Sequence, residues 1–271
     1  MTLPKVALFL WCFSLFAHEA CFTIFSFNDS VSMREGQSLP KIMSLLELEK
    51  KDAEEVVTLV NSPLVLSEKH DGKIAGIFDE MGIDFVCINA SSLESVDAIV
   101  EKAKFKCLGA NIIDIDDKPL SNQVHFFQKN GIKVGFFGLL DEKKHVKSNK
   151  YNLLPFLYTA SDKIEELKKK GVDLIVIVSS LGIENNRLLV KKFPEIDVII
   201  SSHSLDPVGW FEGKTFILQS SDKENLVTRI DLVVEKKETP WRIKTEVYPS
   251  WRTISNEAIK PHPEISKMIN Q

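Results

Sequence analysis

The sequence predicts an α/β fold built on mixed β-sheets, and three observations carry that expectation. From Phe22 to Lys170, segments of strand character alternate with segments of helical periodicity, the pattern of parallel α/β folds. Between Gly171 and Leu205, two wholly apolar runs, Leu174-Ile-Val-Ile-Val178 and Val198-Ile-Ile200, each give way to small polar residues, as parallel strands buried on both faces do at their ends. Beyond Lys214 the helical signal stops and strand segments follow one another. Ligands of open α/β sheets bind outside the carboxyl ends of the strands, so the serine-rich ends of the two apolar runs are where a site is expected.

The elements follow in order. Phe22-Thr-Ile-Phe-Ser-Phe27 alternates aromatic and small residues as a strand does and ends in Asn28-Asp29-Ser30. Ser38 opens a helix whose stripe is Leu39, Ile42, Met43, Leu45 and Leu46. Glu55 to Val60 is a strand broken by Asn61-Ser62-Pro63, and Ile74 to Met81 a helix closed by Gly82. Strand Asp84 to Ile88, helix Ser95 to Lys104 and strand Cys107 to Ile113 come next. His125 to Leu139 reads as a hairpin, because Asn130-Gly131 supplies the positive φ of a two-residue turn. Asp141 to Tyr151 is lysine-rich loop, and Thr159 to Lys170 a helix ended by Gly171. Lys214 to Gln219, Asn225 to Glu235 and Trp241 to Val247 are expected to be antiparallel strands.

With 271 residues and 44% hydrophobic residues the chain can bury a sizeable core. Its 34 basic and 38 acidic residues give a formal charge of -4, and no basic stripe interleaved with aromatics argues for nucleic acid, which is excluded as a partner class. Met1 to Ala20 carries Lys5, an apolar run from Val6 to Ala17 and small residues at Ala17 and Ala20, which resembles a secretory signal peptide. The run is too short to span a bilayer, so no transmembrane span is expected once a leader is removed. A secreted or periplasmic location follows, with residues 22–271 as one mature domain. Cys21 raises lipoprotein anchoring, which His18-Glu19-Ala20 argues against. Cys87 and Cys107 lie in apolar stretches, and spacing leaves buried thiols and a disulfide both open.

Several of these segments, in this order, resemble a known family. Asn28-Asp29, Gly82-Ile-Asp-Phe-Val86, Ala110-Asn111-Ile112, Gly131-Ile-Lys-Val-Gly-Phe-Phe-Gly138-Leu, Lys170 to Gly182, Ile196-Asp-Val-Ile-Ile-Ser-Ser-His203-Ser and Phe216-Ile-Leu-Gln-Ser are similar to the N-terminal domain of the 5'-nucleotidases, within the calcineurin-like metallophosphoesterases. The resemblance covers roughly Phe22 to Gln271. It implies a four-layer sandwich of two mixed β-sheets flanked by helices, and a pair of divalent metals that activate water against a phosphate ester.

The ligand positions the resemblance implies are mostly substituted. Of D-x-H, Asp29 is present and the histidine falls on Val31; the bridging aspartate falls near Leu64; the asparagine and histidine of G-N-H-E fall on Ala90 and Ser91. The S-H-x-G histidine becomes Ser180, and of G-H-x-H only His203 survives, with Leu205 at the second position. Alanine, leucine and valine have no lone pairs for a metal, and neutral hydroxyls are poor substitutes. Asp29 and His203 are thus vestigial metal positions, and no cofactor is expected. The chain also stops where the 5'-nucleotidases carry a base-stacking C-terminal domain, which leaves nucleotide specificity unsupported.

The leading expectation is an exported, catalytically inactive homologue that acts by binding or assembly with an unidentified protein or small-molecule partner. The alternatives are a residual metal-dependent phosphoesterase using Asp29 and His203 with further ligands such as Asp206, His70 or Asp71 around a divalent metal pair, and a small-molecule binding module without catalysis.

Overall fold

The computed structural model of the chain describes residues 16–28, 38–61, 71–88, 93, 96–120, 124–141, 148–204, 206–221, 223, 225–239 and 242–270. Strand β1 (Phe16–Phe27) is followed by α1 (Ser38–Glu49), β2 (Val56–Val60), α2 (Asp71–Glu80), β3 (Phe85–Cys87), α3 (Val96–Val100), β4 (Lys106–Leu108) and β5 (Ile112–Asp114). Then come β6 (His125–Lys129), β7 (Ile132–Leu139), β8 (Tyr151–Leu153), α4 (Phe156–Lys169), β9 (Leu174–Ser179), α5 (Ile183–Lys192) and β10 (Val198–Ser204). The chain closes with β11 (Val208–Glu212), β12 (Thr215–Ser221), β13 (Leu226–Thr239), β14 (Arg242–Ser255) and α6 (Pro263–Asn270).

Two six-stranded mixed sheets result, ordered β14-β13-β1-β2-β3-β4 and β11-β12-β10-β9-β7-β6. In the first, β1 to β4 are parallel and β13 and β14 antiparallel; in the second, β7, β9, β10 and β12 are parallel, with β6 and β11 antiparallel at the edges. The three buried clusters show how they stack. Ile24, Leu59, Phe85, Val176, Ile200 and Leu218 meet between the sheets. The other face of the first sheet, with Phe25, Phe27 and Val60, packs on Ile42 and Leu46 of α1, Phe78 of α2 and Ile265 of α6. The outer face of the second, with Ile177 and Ile199, packs on Ile164 and Leu167 of α4 and Leu189 of α5. This is the four-layer α/β sandwich, and the sheets hold it because alternate residues of each central strand are apolar on both sides, each fully buried one contributing roughly 1.5–3 kcal/mol.

Local chemistry sets most boundaries. The β6–β7 hairpin turns at Asn130 and Gly131, with φ of 49° and 78°, as their pairing predicts. The α4 helix ends at Gly171, whose φ of 67° a side chain would oppose. At Gly138 the two sheets approach closely: a Cβ there would lie 2.7 Å from Leu108 Cβ, and Ala110 N donates to the Gly138 carbonyl at 2.8 Å.

Several expectations are corrected. Cys107 to Ile113 is not one strand: the chain turns at Gly109, so β4 joins the first sheet and β5 pairs with β8 apart from both. Tyr151, expected in a loop, begins β8, and Lys214 to Gln219 pairs in parallel with β10 rather than only antiparallel. The expected helix Ser95 to Lys104 is short, covering Val96–Val100. Helices α5 and α6 and strand β11 were not anticipated. Cys87 and Cys107 form no disulfide with each other: Cys87 packs between the sheets and Cys107 on the helical side, so the first sheet separates them. Strand β1 starts at Phe16, and residues 16–20 pair with β13 from Phe16↔Glu238 to Ala20↔Val234; cleavage after Ala20 would remove that part of the strand.

Candidate functional site

The inter-sheet face of five strands changes character at the same level. Successive residues of like parity run Ile24, Ser26 and, just past its end, Asn28 along β1; Val57, Leu59 and, just past its end, Asn61 along β2; Val176, Val178 and, just past its end, Ser180 along β9; Val198, Ile200, Ser202 on β10; and Phe216, Leu218, Ser220 on β12. Each apolar series ends in serine or asparagine at the carboxyl end of its strand, and all of these terminal residues are buried. The parallel strands bring these ends together, so the floor they form is polar, uncharged and continuous with the core.

Two asparagines tie the sheets together there. Asn28 Nδ2 donates to the Ser221 carbonyl at 2.5 Å, and Asn61 Nδ2 to the Ile200 carbonyl at 3.4 Å. Asn61 is fully buried, and its Oδ1 finds no partner among the described residues. The Ser180 hydroxyl turns back to the Leu139 carbonyl at 3.4 Å, and Ser220 donates to the Ser201 carbonyl at 3.1 Å.

On the outer side of the second sheet, one helical amide braces the same strand ends. Asn186 of α5 accepts from Ser179 Oγ at 2.6 Å and donates to Ser201 Oγ at 3.0 Å; all three residues are fully buried. The Ser179 hydroxyl also accepts from Leu181 N at 3.1 Å. These serines are spent on an amide and on backbone, with no histidine or carboxylate among the described residues in contact to make either a nucleophile. Asn111 works the same way at the neighbouring loop, bonding the Leu140 carbonyl at 2.9 Å, the Leu154 carbonyl at 3.1 Å and Leu140 N at 3.0 Å. The Ala-Asn-Ile segment is therefore a bracket between β4 and β7.

The sequence-derived ligand positions divide as follows. Asp29, Val31, Leu64, His70, Ala90, Ser91 and Leu205 lie outside the described residues, as do the side chains of Asp71 and His203; the backbone of His203 belongs to β10. Ser180 is in place at the end of β9, its hydroxyl engaged by backbone. Asp206, offered as an extra ligand, is exposed and pairs with Lys223 at 3.3 Å. No group of three or more His, Cys, Asp or Glu side chains able to hold a metal occurs among the described residues. Burial pushes the Cys87 thiol up to about 12, so it does not supply a thiolate. The described donors are neutral hydroxyls and amides, which do not fit a pair of dications.

Asn186 escaped the sequence reading. The signal was present: Asn186, Leu189 and Val190 follow the three- and four-residue spacing of a buried helical stripe, and all three are buried.

No family model matches the chain. It is 31% identical over 120 residues to an uncharacterized metallophosphoesterase, YunD, of Bacillus subtilis, a match covering 41% of this chain and 25% of that protein. It is 30% identical over 116 residues to an apyrase of Aedes albopictus, covering 40% of this chain and 20% of the relative. The matched parts are thus about a quarter or less of the curated relatives' lengths. Among solved structures, the calcineurin-like phosphoesterase YfkN of Bacillus subtilis superposes with a TM-score of 0.76 at 16% identity, over 93% of this chain and 96% of that one. A putative 5'-nucleotidase of Staphylococcus aureus gives 0.70 at 14%, over 93% and 58%. The resemblance drawn from the ordered motifs and the fold it implies are both upheld.

Proposed function

This chain has the calcineurin-like metallophosphoesterase fold, and on that premise we propose that it is an exported, catalytically silent protein acting by binding or assembly. The observation that carries the reading is Ser180: where the family motif implies a metal-ligating histidine, a buried hydroxyl is turned onto the Leu139 carbonyl. Val31, Leu64, Ala90, Ser91 and Leu205 at the other implied positions support it, because none offers a metal a strong donor. Two dications held about 3.5–4 Å apart need an anion between them, and no aspartate or glutamate stands between Leu59 and Ser67. Among the described residues no helix is long and apolar enough to cross a membrane. Export rests on the leader-like first residues. Among the described residues the strand ends form a neutral floor of hydroxyls and amides that can hold a partner by hydrogen bonds.

Calorimetric titration with manganese or zinc tests this directly. Heats at the level of dilution are expected; a stoichiometric two-metal site of micromolar affinity or better would refute the proposal. The match to a metallophosphoesterase and to apyrases favours a second reading, residual metal-dependent phosphoesterase activity through Asp29 and His203. It requires p-nitrophenyl phosphate turnover that disappears in Asp29→Ala and His203→Ala. A ligand module without catalysis instead predicts a rise in melting temperature with nucleotides or phosphosugars.

A further inference from the structure

The first sheet ends at β14, and among the described residues no strand pairs with its outer side. Which backbone groups face that open side follows from the ladder. Strands β13 and β14 keep one register from Thr239↔Arg242 to Leu226↔Ser255, and just beyond it Asn256 N donates to the Asn225 carbonyl at 2.8 Å. Bonded pairs recur at every second residue of an antiparallel ladder, so the even-numbered residues of β14 turn their N–H and C=O groups to β13. The odd-numbered ones, Ile243, Thr245, Val247 and Pro249, turn theirs outward. Pro249 agrees with this, because proline has no N–H to give a ladder and is tolerated on the solvent side of an edge strand.

The side chains of the open segment alternate in character. On the inter-sheet face Ile243 is 62% exposed, and Val247, half-buried, packs at the margin of the core. On the other face Lys244 and Glu246 pair at 2.5 Å, both reaching solvent. An antiparallel copy of the same segment fits this edge in one register above its neighbours. Centred on Thr245, a twofold axis sets Lys244 opposite the partner's Glu246 and Ile243 opposite the partner's Val247, and the outward groups of Ile243, Thr245 and Val247 all find mates. Pro249 falls just past the last of these pairs, where no N–H is called for. Centred one residue either way, Lys244 meets the partner's Lys244 or Glu246 meets the partner's Glu246, and like charges directly opposite are destabilising.

We propose that the chain forms a twofold homodimer by pairing β14 with β14 of a second copy across residues 243–247, which joins the two first sheets into one. The charge order selects the occupant: the segment complements its own antiparallel copy, and the match fixes the register. Pairing also covers Ile243 and closes an edge that otherwise offers unpaired backbone. The segment lies at the far end of β14 from the strand-end floor, since Ser26 registers with Thr228 and Thr228 with Thr253. The dimer therefore does not depend on the function proposed for that floor.

Sedimentation equilibrium of the full chain at tens of micromolar should give a dimer. Thr245→Pro removes an outward N–H and none from the β13 ladder, so the far-ultraviolet circular dichroism should match the parent while the dimer dissociates. Lys244→Glu and Glu246→Lys each set like charges across the axis twice, and each should raise the dimer dissociation constant about tenfold or more. Mixed in equal amounts, the two variants restore opposite charges at both places and should associate as the parent does, a result that misfolding cannot produce. A monomeric parent, a dimer indifferent to Thr245→Pro, charge variants that self-associate like the parent, or variants that fail to associate on mixing would each overturn the assignment.

Discussion

Asn186 and Ser201 share a hydrogen bond of 3.0 Å in a fully buried setting, and through it a helix outside the second sheet holds the end of β10 beside that of β9. Truncating the amide leaves the Ser179 and Ser201 hydroxyls without it. Asn186→Ala should lower unfolding free energy by about 1–3 kcal/mol in urea denaturation. The triple variant Ser179→Ala, Asn186→Leu, Ser201→Ala removes both sides of each bond and should recover part of that loss.

Asn61 behaves differently. Its one long bond, 3.4 Å to the Ile200 carbonyl, and its unpartnered Oδ1 offset little of the cost of burying an amide. Asn61→Leu, which keeps the branched shape with somewhat greater bulk, should therefore stay within about 1 kcal/mol of the parent in the same assay. If the strand-end floor binds a partner as proposed, substitution of Asn61 should lower partner affinity while leaving the urea midpoint nearly unchanged.

Asp197 predicts a pH dependence. Burial raises its pKa above the ordinary carboxylate value, opposed by the bond from Ile175 N at 2.9 Å and by Lys214 at 3.4 Å. The native state then holds this proton more tightly than the unfolded chain, so stability from this group is full below the unfolded value of about 4 and declines as pH rises through the raised value. Asp197→Asn keeps an acceptor for Ile175 and has nothing to ionise. Its urea midpoint should exceed the parent's at pH 7, and the difference should vanish near pH 3.

Glu49 predicts the reverse. Burial works to raise its pKa, but Arg252 at 2.5 Å and Arg229 at 3.0 Å prevail and hold the carboxyl below its usual value. Its contribution is present above the unfolded value and is lost as pH falls through the lowered one. Glu49→Gln should cost about 1.5–3 kcal/mol at neutral pH and progressively less toward pH 2. A cost that stays constant with pH would place the loss in packing rather than in charge.

How much of this was legible depends on where each signal lies. Leu174 to Val178 and Val198 to Ile200 are apolar on both faces, so composition alone identifies central strands. Asn130-Gly131 marks its hairpin because few other residues accept that backbone. Strand β14 was read only to Val247, yet runs to Ser255 by pairing with β13 throughout, a tertiary effect that the polar Ser250 and Arg252 conceal. The break between β4 and β5 depends on Gly109, where a Cβ would stand 2.4 Å from Ile112 Cδ1; local periodicity carries no trace of that closeness. At the site, the serine at position 180, where the resemblance implies a histidine, was readable, but its hydrogen bond to the Leu139 carbonyl joins residues 41 apart in sequence. Asn186 was visible as a helical position, not as a brace, because its partners lie in two other strands.

Strand β1 has one more consequence, in the timing of folding. Its neighbours in the sheet are β2, close in sequence, and β13, whose Asp231 side chain accepts a hydrogen bond from Thr23 across 208 residues. A contact of that span must wait for most of the chain to be synthesised, and loop closure makes it slow even then. Until β13 arrives, one edge of β1 presents unpaired backbone flanked by Phe22, Ile24 and Phe25. The nascent protein is therefore most prone to mispairing at the strand that leads its sheet, and holding that edge apart is the task any folding assistant would have to perform.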